Sequence, residues 1–116
     1  MPSELNLTLH VLNGCLPDVL DCETAPFGSR VTVECAAQIP PTRRGYLALY
    51  REGVFQARTV TASGALRLTH EYAVPLVPLV GIENIKCDFM ENDRMSKHTQ
   101  IPVRYGCTPS GVHFYL

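Results

Sequence analysis

Gly28-Ser29-Arg30-Val31-Thr32-Val33-Glu34-Cys35 is the stretch on which the fold turns. A glycine opens it, and from Val31 the residues alternate. Val31, Val33 and Cys35 fall on one side, Thr32 and Glu34 on the other. Successive side chains of a strand point to opposite faces, so a period of two describes a strand with one face in a core and one in water. Val31, Thr32 and Val33 are β-branched, which suits a pleated, half-buried surface.

The same pattern recurs on either side. Leu5, Leu7, Leu9 and Val11 alternate with Asn6, Thr8 and His10, and Asn13-Gly14 then marks a turn. Residues 15–29 hold Cys15, Cys22, two prolines and Gly28, and are expected to form an irregular connection. Beyond Cys35, Gln38 to Gly45 contains Pro40-Pro41 and two arginines and is expected to be a loop. Tyr46 to Arg51 predicts a third strand closed by a turn at Glu52-Gly53, and Val54 to Val60 a fourth. Leu66 and Leu68 point inward on a fifth, after a turn at Ala62-Ser63-Gly64. Val74 to Val80 is apolar but carries Pro75 and Pro78, so it reads as a buried or edge-lying connection. Ile85, Cys87 and Phe89 face inward on the next strand, Glu91 to Ser96 forms a charged tip, and Thr99 to Tyr105 makes the last strand. About seven short strands in one domain-sized chain predict an all-β, two-sheet antiparallel sandwich spanning residues 1–105, with 106–116 as a tail or the start of a stalk.

Bulk properties narrow the function. A chain of 116 residues fits one core, and 46% hydrophobic with 18% charged residues is a globular composition. A net charge of −1 offers no basic field for nucleic acid. No apolar run is long enough to cross a bilayer, so no membrane insertion is expected within the chain. Five cysteines in so short a chain point to an oxidising, extracellular setting. No secretory leader precedes Pro2-Ser3-Glu4, so that setting implies that Met1 heads a mature fragment. The cysteines form no C-x-x-C pair and the four histidines no zinc spacing, so neither a metal nor another cofactor is expected. Hydrolase, zinc-protease and phosphate-loop motifs are absent, and no catalytic residue is assigned. A cysteine–histidine thiol enzyme is the remaining enzymatic reading, and it requires a reactive, low-pKa cysteine. His70 and His98 read as packed or surface residues.

Three segments together resemble the immunoglobulin superfamily. Gly28 to Cys35 looks like the second strand of such a domain, and Tyr46-Leu47-Ala48-Leu49-Tyr50-Arg51-Glu52-Gly53 is similar to the third strand and turn of leukocyte immunoglobulin-like and Fc-type receptors. Ile85-Lys86-Cys87 falls where the sixth strand's cysteine belongs. The resemblance covers about residues 5–105. It implies an immunoglobulin-like sandwich, an intersheet Cys35–Cys87 bridge, and a cell-surface or secreted receptor domain of the immune type that binds a protein without a cofactor. The chain departs from the pattern in having no tryptophan, leaving Leu47 or Leu49 to pack on the bridge. Ile85 stands where the tyrosine corner would be. A structural or adhesive module of a longer extracellular protein, with no dedicated ligand, is the alternative.

The other cysteines admit more than one arrangement. Cys15–Cys22 would staple a local loop and leave Cys107 free or available for an interchain bridge in a possible homodimer; alternatively Cys22 pairs with Cys107. Asn6-Leu7-Thr8 is an N-glycosylation acceptor with Asn6 on the outward face of its strand. Tyr46 and Tyr50 stand opposite Leu47 and Leu49, and with Lys86 and Asp88 from the neighbouring strand make a candidate recognition surface. The alternative is that tyrosine is there as a good strand former. The loop tips give a second candidate: Arg43 and Arg44 on one, Glu91, Asp93 and Arg94 on the other.

Overall fold

The computed structural model describes residues 5–13, 30–74 and 82–104. They form seven strands: β1 (Asn6–Asn13), β2 (Arg30–Ile39), β3 (Tyr46–Arg51), β4 (Val54–Arg58), β5 (Gly64–Ala73), β6 (Ile82–Glu91) and β7 (Arg94–Arg104). One sheet has the order β1-β2-β5 and the other β4-β3-β6-β7, with every pairing antiparallel. The fold is the predicted immunoglobulin-like sandwich. β4 pairs with β3 rather than with β5, so the sheets divide three and four. In the constant-type arrangement the fourth strand lies in the sheet of the first, second and fifth instead.

Each inward row follows from the period of two. Along β2, Val31, Val33, Cys35, Ala37 and Ile39 are buried, while Thr32, Glu34 and Ala36 are partly covered and Gln38 is exposed. β2 extends past the expected Cys35 because it is the central strand of its sheet and its backbone groups find partners on both sides as far as Gln38. Facing it across the core are Leu47 and Leu49 of β3, Ile85, Cys87 and Phe89 of β6, and Val103 of β7, all fully buried. Cys35 and Cys87 are joined by a disulfide, one cysteine from each sheet, with 6.4 Å between Cα atoms. That separation lies inside the ordinary range of about 4.4–6.8 Å. With no tryptophan present, Leu47, Leu49 and Phe89 fill the core around the bridge, and Phe89 is the largest fully buried side chain among the described residues.

Two hairpins shape the four-stranded sheet. Glu52-Gly53 joins β3 to β4 with φ of 48° and 79°, and Asn92-Asp93 joins β6 to β7 with φ of 53° and 61°. Two consecutive left-handed residues match the right-handed twist of paired strands. Glutamate is unusual there, and Glu52 is held from both ends: its N–H donates to the Asn84 carbonyl at 2.9 Å, and its carboxylate accepts from the Asn84 N–H. The second turn is tighter than expected. Arg94 to Ser96, read as part of a charged tip, already belong to β7: Arg94 and Met95 pair with Glu91 and Met90 of β6, and an irregularity skips Ser96. β4 ends at Arg58, two residues short of the expected Val60.

Val74, the first residue of the proline-bearing connection, is buried. The expected turn at Asn13-Gly14 lies partly, and the irregular 15–29 connection, Tyr105 and the tail wholly or almost wholly, outside the described residues. Among the described residues no helix is long and apolar enough to cross a membrane.

Candidate recognition face

The outward face of the four-stranded sheet gathers the tyrosines as their alternation requires. With Leu47 and Leu49 in the core, Tyr46, Ala48 and Tyr50 must point away from it. The register then fixes their neighbours. Tyr46 lies opposite Met90, Ala48 opposite Asp88 and Tyr50 opposite Lys86. On the far side of β6, Asp88 faces His98 and Lys86 faces Gln100. On the far side of β3, Tyr50 faces Phe55 and Ala48 faces Arg58.

These side chains are organised by ring contacts. The Arg58 guanidinium carbon stands 3.6 Å from the Tyr46 ring centroid. Phe55 meets Tyr50 edge-on at 5.9 Å between centroids, and the Lys86 ammonium lies 5.7 Å from the same tyrosine ring. Edge-on aromatic pairs and cations over rings each add roughly 0.5–1.5 kcal/mol to plain area burial. The rings are therefore held in place, yet Phe55 remains 51% exposed.

At the centre of the face, Ala48 is 1% and Asp88 6% exposed, although both point outward. Covering by the longer neighbouring side chains accounts for this. Lys86 Nζ lies 3.4 Å from Asp88 Oδ1, an ion pair, but the geometry is not that of a hydrogen bond. Oδ1 accepts no hydrogen bond among the described residues. A carboxylate taken out of water is stabilised only when its lone pairs are met as well as its charge. Asp88 thus has acceptor capacity to spare in the row between those of Tyr46 and Tyr50.

The loop-tip residues are arranged differently. Arg43 donates from Nε and Nη2 to both carboxylate oxygens of Glu91 at 2.9 and 2.7 Å, and from Nη2 to Ser96 Oγ at 2.9 Å. Its carbonyl accepts from the Ser63 hydroxyl and its N–H donates to the Pro40 carbonyl. The hydrogen bond from Arg43 holds the Glu91 carboxyl below the ordinary carboxylate range, and the same bond raises the Arg43 guanidinium. Arg43 and Glu91 therefore tie the 40–45 loop to the β6–β7 hairpin. Arg44, Asp93 and Arg94 are exposed around them, with Arg44 Nη2 donating to the Thr61 carbonyl at 3.3 Å.

Tyr46, Tyr50 and Lys86 are thus brought together with Asp88, while Arg43 and Glu91 are engaged with each other. Phe55, Arg58 and His98 belong to the same face and were not expected there. Phe55 was reachable from sequence: a two-residue turn at Glu52-Gly53 sets Val54 opposite Arg51 and Phe55 opposite Tyr50. Arg58 was not, because an irregularity between Leu49 and Tyr50 skips Gln56 and shifts the rest of β4 by one residue. Asn6 is exposed on β1. Cys15, Cys22 and Cys107 lie outside the described residues. Among the described residues no group of three or more histidine, cysteine, aspartate or glutamate side chains is disposed to hold a metal. The chain matches no family model, no curated protein and no solved structure.

Proposed function

We propose that this chain is an immunoglobulin-superfamily recognition domain of a cell-surface or secreted immune-type protein, and that it binds a protein partner non-covalently through the outward face of β4-β3-β6-β7. The observation that carries the reading is the composition of that face. Ordered, partly exposed rings of Tyr46 on one side and of Tyr50 and Phe55 on the other flank the row that holds a buried carboxylate, Asp88, with unmet acceptor capacity. Tyrosine and other aromatic anchors around a desolvated polar centre are the make-up of interface hot spots. A basic side chain of the partner, delivered over Ala48, would meet Asp88 while its stem packs on the rings. An intersheet disulfide with both sulfurs fully buried is typical of chains that fold in an oxidising compartment and supports the extracellular part of the reading.

The test is staining of a panel of intact cells by the tetramerised domain, with and without protease treatment of the cells. Saturable, protease-sensitive staining that Tyr50→Ala/Phe55→Ala and Asp88→Asn each abolish, in variants that keep the β-sheet circular dichroism spectrum, is the expected result. Staining that survives both but fails in Arg44→Ala/Asp93→Ala would move the site to the loop tips and overturn the face.

A second reading rests on the edge strand β4. Val54 is 63% exposed, Phe55 51%, and Val60 just beyond it 75%. An apolar edge strand is a template for pairing with another copy, as an adhesive module without a dedicated ligand would use. Sedimentation equilibrium distinguishes the two: concentration-dependent dimers lost in Val54→Lys favour the adhesive module.

A further inference from the structure

The opposite outer face, on the sheet β1-β2-β5, carries a different chemistry. Two of its cross-strand rows stand at one end of the face: Asn6, Gln38 and Ala65 in one, Thr8, Ala36 and Arg67 in the other. Between the longer side chains lies an open groove of about 370 Å³, floored by the alanines. That is near the small end of the range for ligand clefts, roughly 300–1,000 Å³. One of the residues lining it, Asn6, is the acceptor of the Asn6-Leu7-Thr8 sequon, and Thr8 lines it too. β1 is the edge of its sheet, so the sequon is extended, with Asn6 exposed.

We propose that Asn6 is N-glycosylated and that the first sugars of its glycan lie along this groove. In the covalent step, Asn6 Nδ2 attacks the anomeric carbon of an N-acetylglucosamine carried on a lipid-linked pyrophosphate oligosaccharide. One C–N bond forms, the sugar–phosphate C–O bond breaks, the lipid pyrophosphate leaves with the electron pair, and the Nδ2 proton passes to base. The acceptor sits at the groove's own rim, so the sugar enters without crossing the sheet. A pyranose has an apolar C–H face and a polar edge. The methyl groups of Ala36 and Ala65 suit the first, and the side chains of Gln38 and Arg67 can donate to the second. Arg67 stays within reach because its contact with Glu34, at 3.6 Å, leaves it 71% exposed. Seated there, the glycan also shields the β1 edge from pairing with another chain. The inference needs the secretory setting but not the recognition face, which lies on the other sheet.

The test secretes the full chain from a mammalian line behind a cleavable leader, with alanine methyl groups isotopically labelled. Peptide mass spectrometry is expected to find a glycan on Asn6, absent in Thr8→Ala. Secreted, disulfide-bonded protein with Asn6 bare would overturn the site. Trimming to a single N-acetylglucosamine is then compared with Asn6→Gln. The Ala36 and Ala65 methyl resonances are expected to move and to show contacts to sugar protons. Ala65→Tyr, which fills the groove from an exposed position, should speed release of the glycan by amidase from native protein several-fold. A glycosylated Asn6 with unmoved methyl resonances and an unchanged release rate would overturn the seat.

Discussion

Gly45, just before β3, offers a sharp test of how the loop closes on the sandwich. A methyl group placed on it would come within 3.0 Å of the Met90 carbonyl oxygen and of the Phe89 ring carbons. Ordinary approaches are about 3.3–3.6 Å for carbon to carbonyl oxygen and about 3.5–4.0 Å for carbon to carbon. The overlap is therefore on the order of half an ångström or more against each neighbour. Neither yields cheaply. The Met90 carbonyl belongs to β6, which the adjacent Tyr46↔Met90 pairing fixes to β3, and the Phe89 ring is fully buried. Overpacking a core costs typically 1–3 kcal/mol; with backbone on one side and a walled ring on the other, Gly45→Ala should cost about 3 kcal/mol. With a urea slope of about 1.5 kcal/mol per molar, the midpoint falls by about 2 M. The control is Gly53→Asn, where the side chain meets open space and φ is 79°. Asparagine tolerates that left-handed conformation, so the cost there should stay below about 1 kcal/mol. Equilibrium urea unfolding of both variants, followed by circular dichroism, decides. Gly45→Ala within about 0.5 kcal/mol of wild type, or less destabilised than Gly53→Asn, would refute the close approach of this loop to β6.

Three further outcomes are expected. Cys35→Ala/Cys87→Ala should lose about 4 kcal/mol by denaturant titration, since the bridge closes a loop with a sequence separation of 52 residues in the unfolded chain; because both sulfurs are fully buried, the wild-type bridge should resist reductant until denaturant is added. Burial, and then the charge of Arg51, lower the His70 pKa below its ordinary 6.5. The unfolded chain therefore takes up the proton first, stability is full above pH 6.5 and falls as pH drops toward the folded value, and His70→Gln should flatten the urea midpoint between roughly pH 7 and 5. The Glu91 pKa is lowered by its hydrogen bond from Arg43, so its contribution is present above the ordinary carboxylate pKa and lost as pH falls through the folded value; the stability gap between wild type and Glu91→Gln should close in acid-unfolding curves.

The strands that sequence made legible are those with one apolar face. β1, the first half of β2, β3 and the middle of β6 could be read because Leu, Val, Ile and Phe recur at every second position. Where an edge strand is polar on both faces, the pattern fails. Arg94 to His98 have the composition of a loop and are strand because β6 supplies partners along one side. Ala36 hid the second half of β2, since a small outward residue gives no contrast with its inward neighbour Ala37. The disulfide followed from the resemblance, whereas the division into two facing sheets followed from the number and spacing of short strands. Asp88 is the reverse case. Its outward direction was readable from Cys87 and Phe89, but its burial was not, because that depends on neighbours set by the register between strands, which no single segment encodes.

That burial separates the two outer faces by what each can do. A carboxylate buried beside a lysine recovers its desolvation cost only when the geometry is good and its remaining lone pairs are met, and Asp88 Oδ1 meets no donor among the described residues. The Lys86–Asp88 pair by itself therefore explains little about why a charge is kept between the rows of Tyr46 and Tyr50. Replacing Asp88 with alanine would relieve the desolvation, and Lys86, its side chain 36% exposed, keeps access to water, so fold stability offers no strong reason for aspartate there. A partner's cation does offer one, because it would arrive with hydrogen-bond donors in a site already cleared of much of its water, where such bonds are stronger than at an open surface. On the opposite face the largely covered carboxylate, Glu34, is met by both His10 and Arg67, and the alanine floor and polar rim beside it suit a sugar held covalently at Asn6, which needs little binding energy of its own. A glycan there would leave the tyrosine face open and bias a partner's approach toward it. Asp88→Asn should then weaken partner binding, with little change in fold stability, while Asn6→Gln leaves affinity unchanged. If Asp88→Asn instead destabilises the fold by several kcal/mol without affecting binding, the carboxylate is structural and the assignment of the two faces fails.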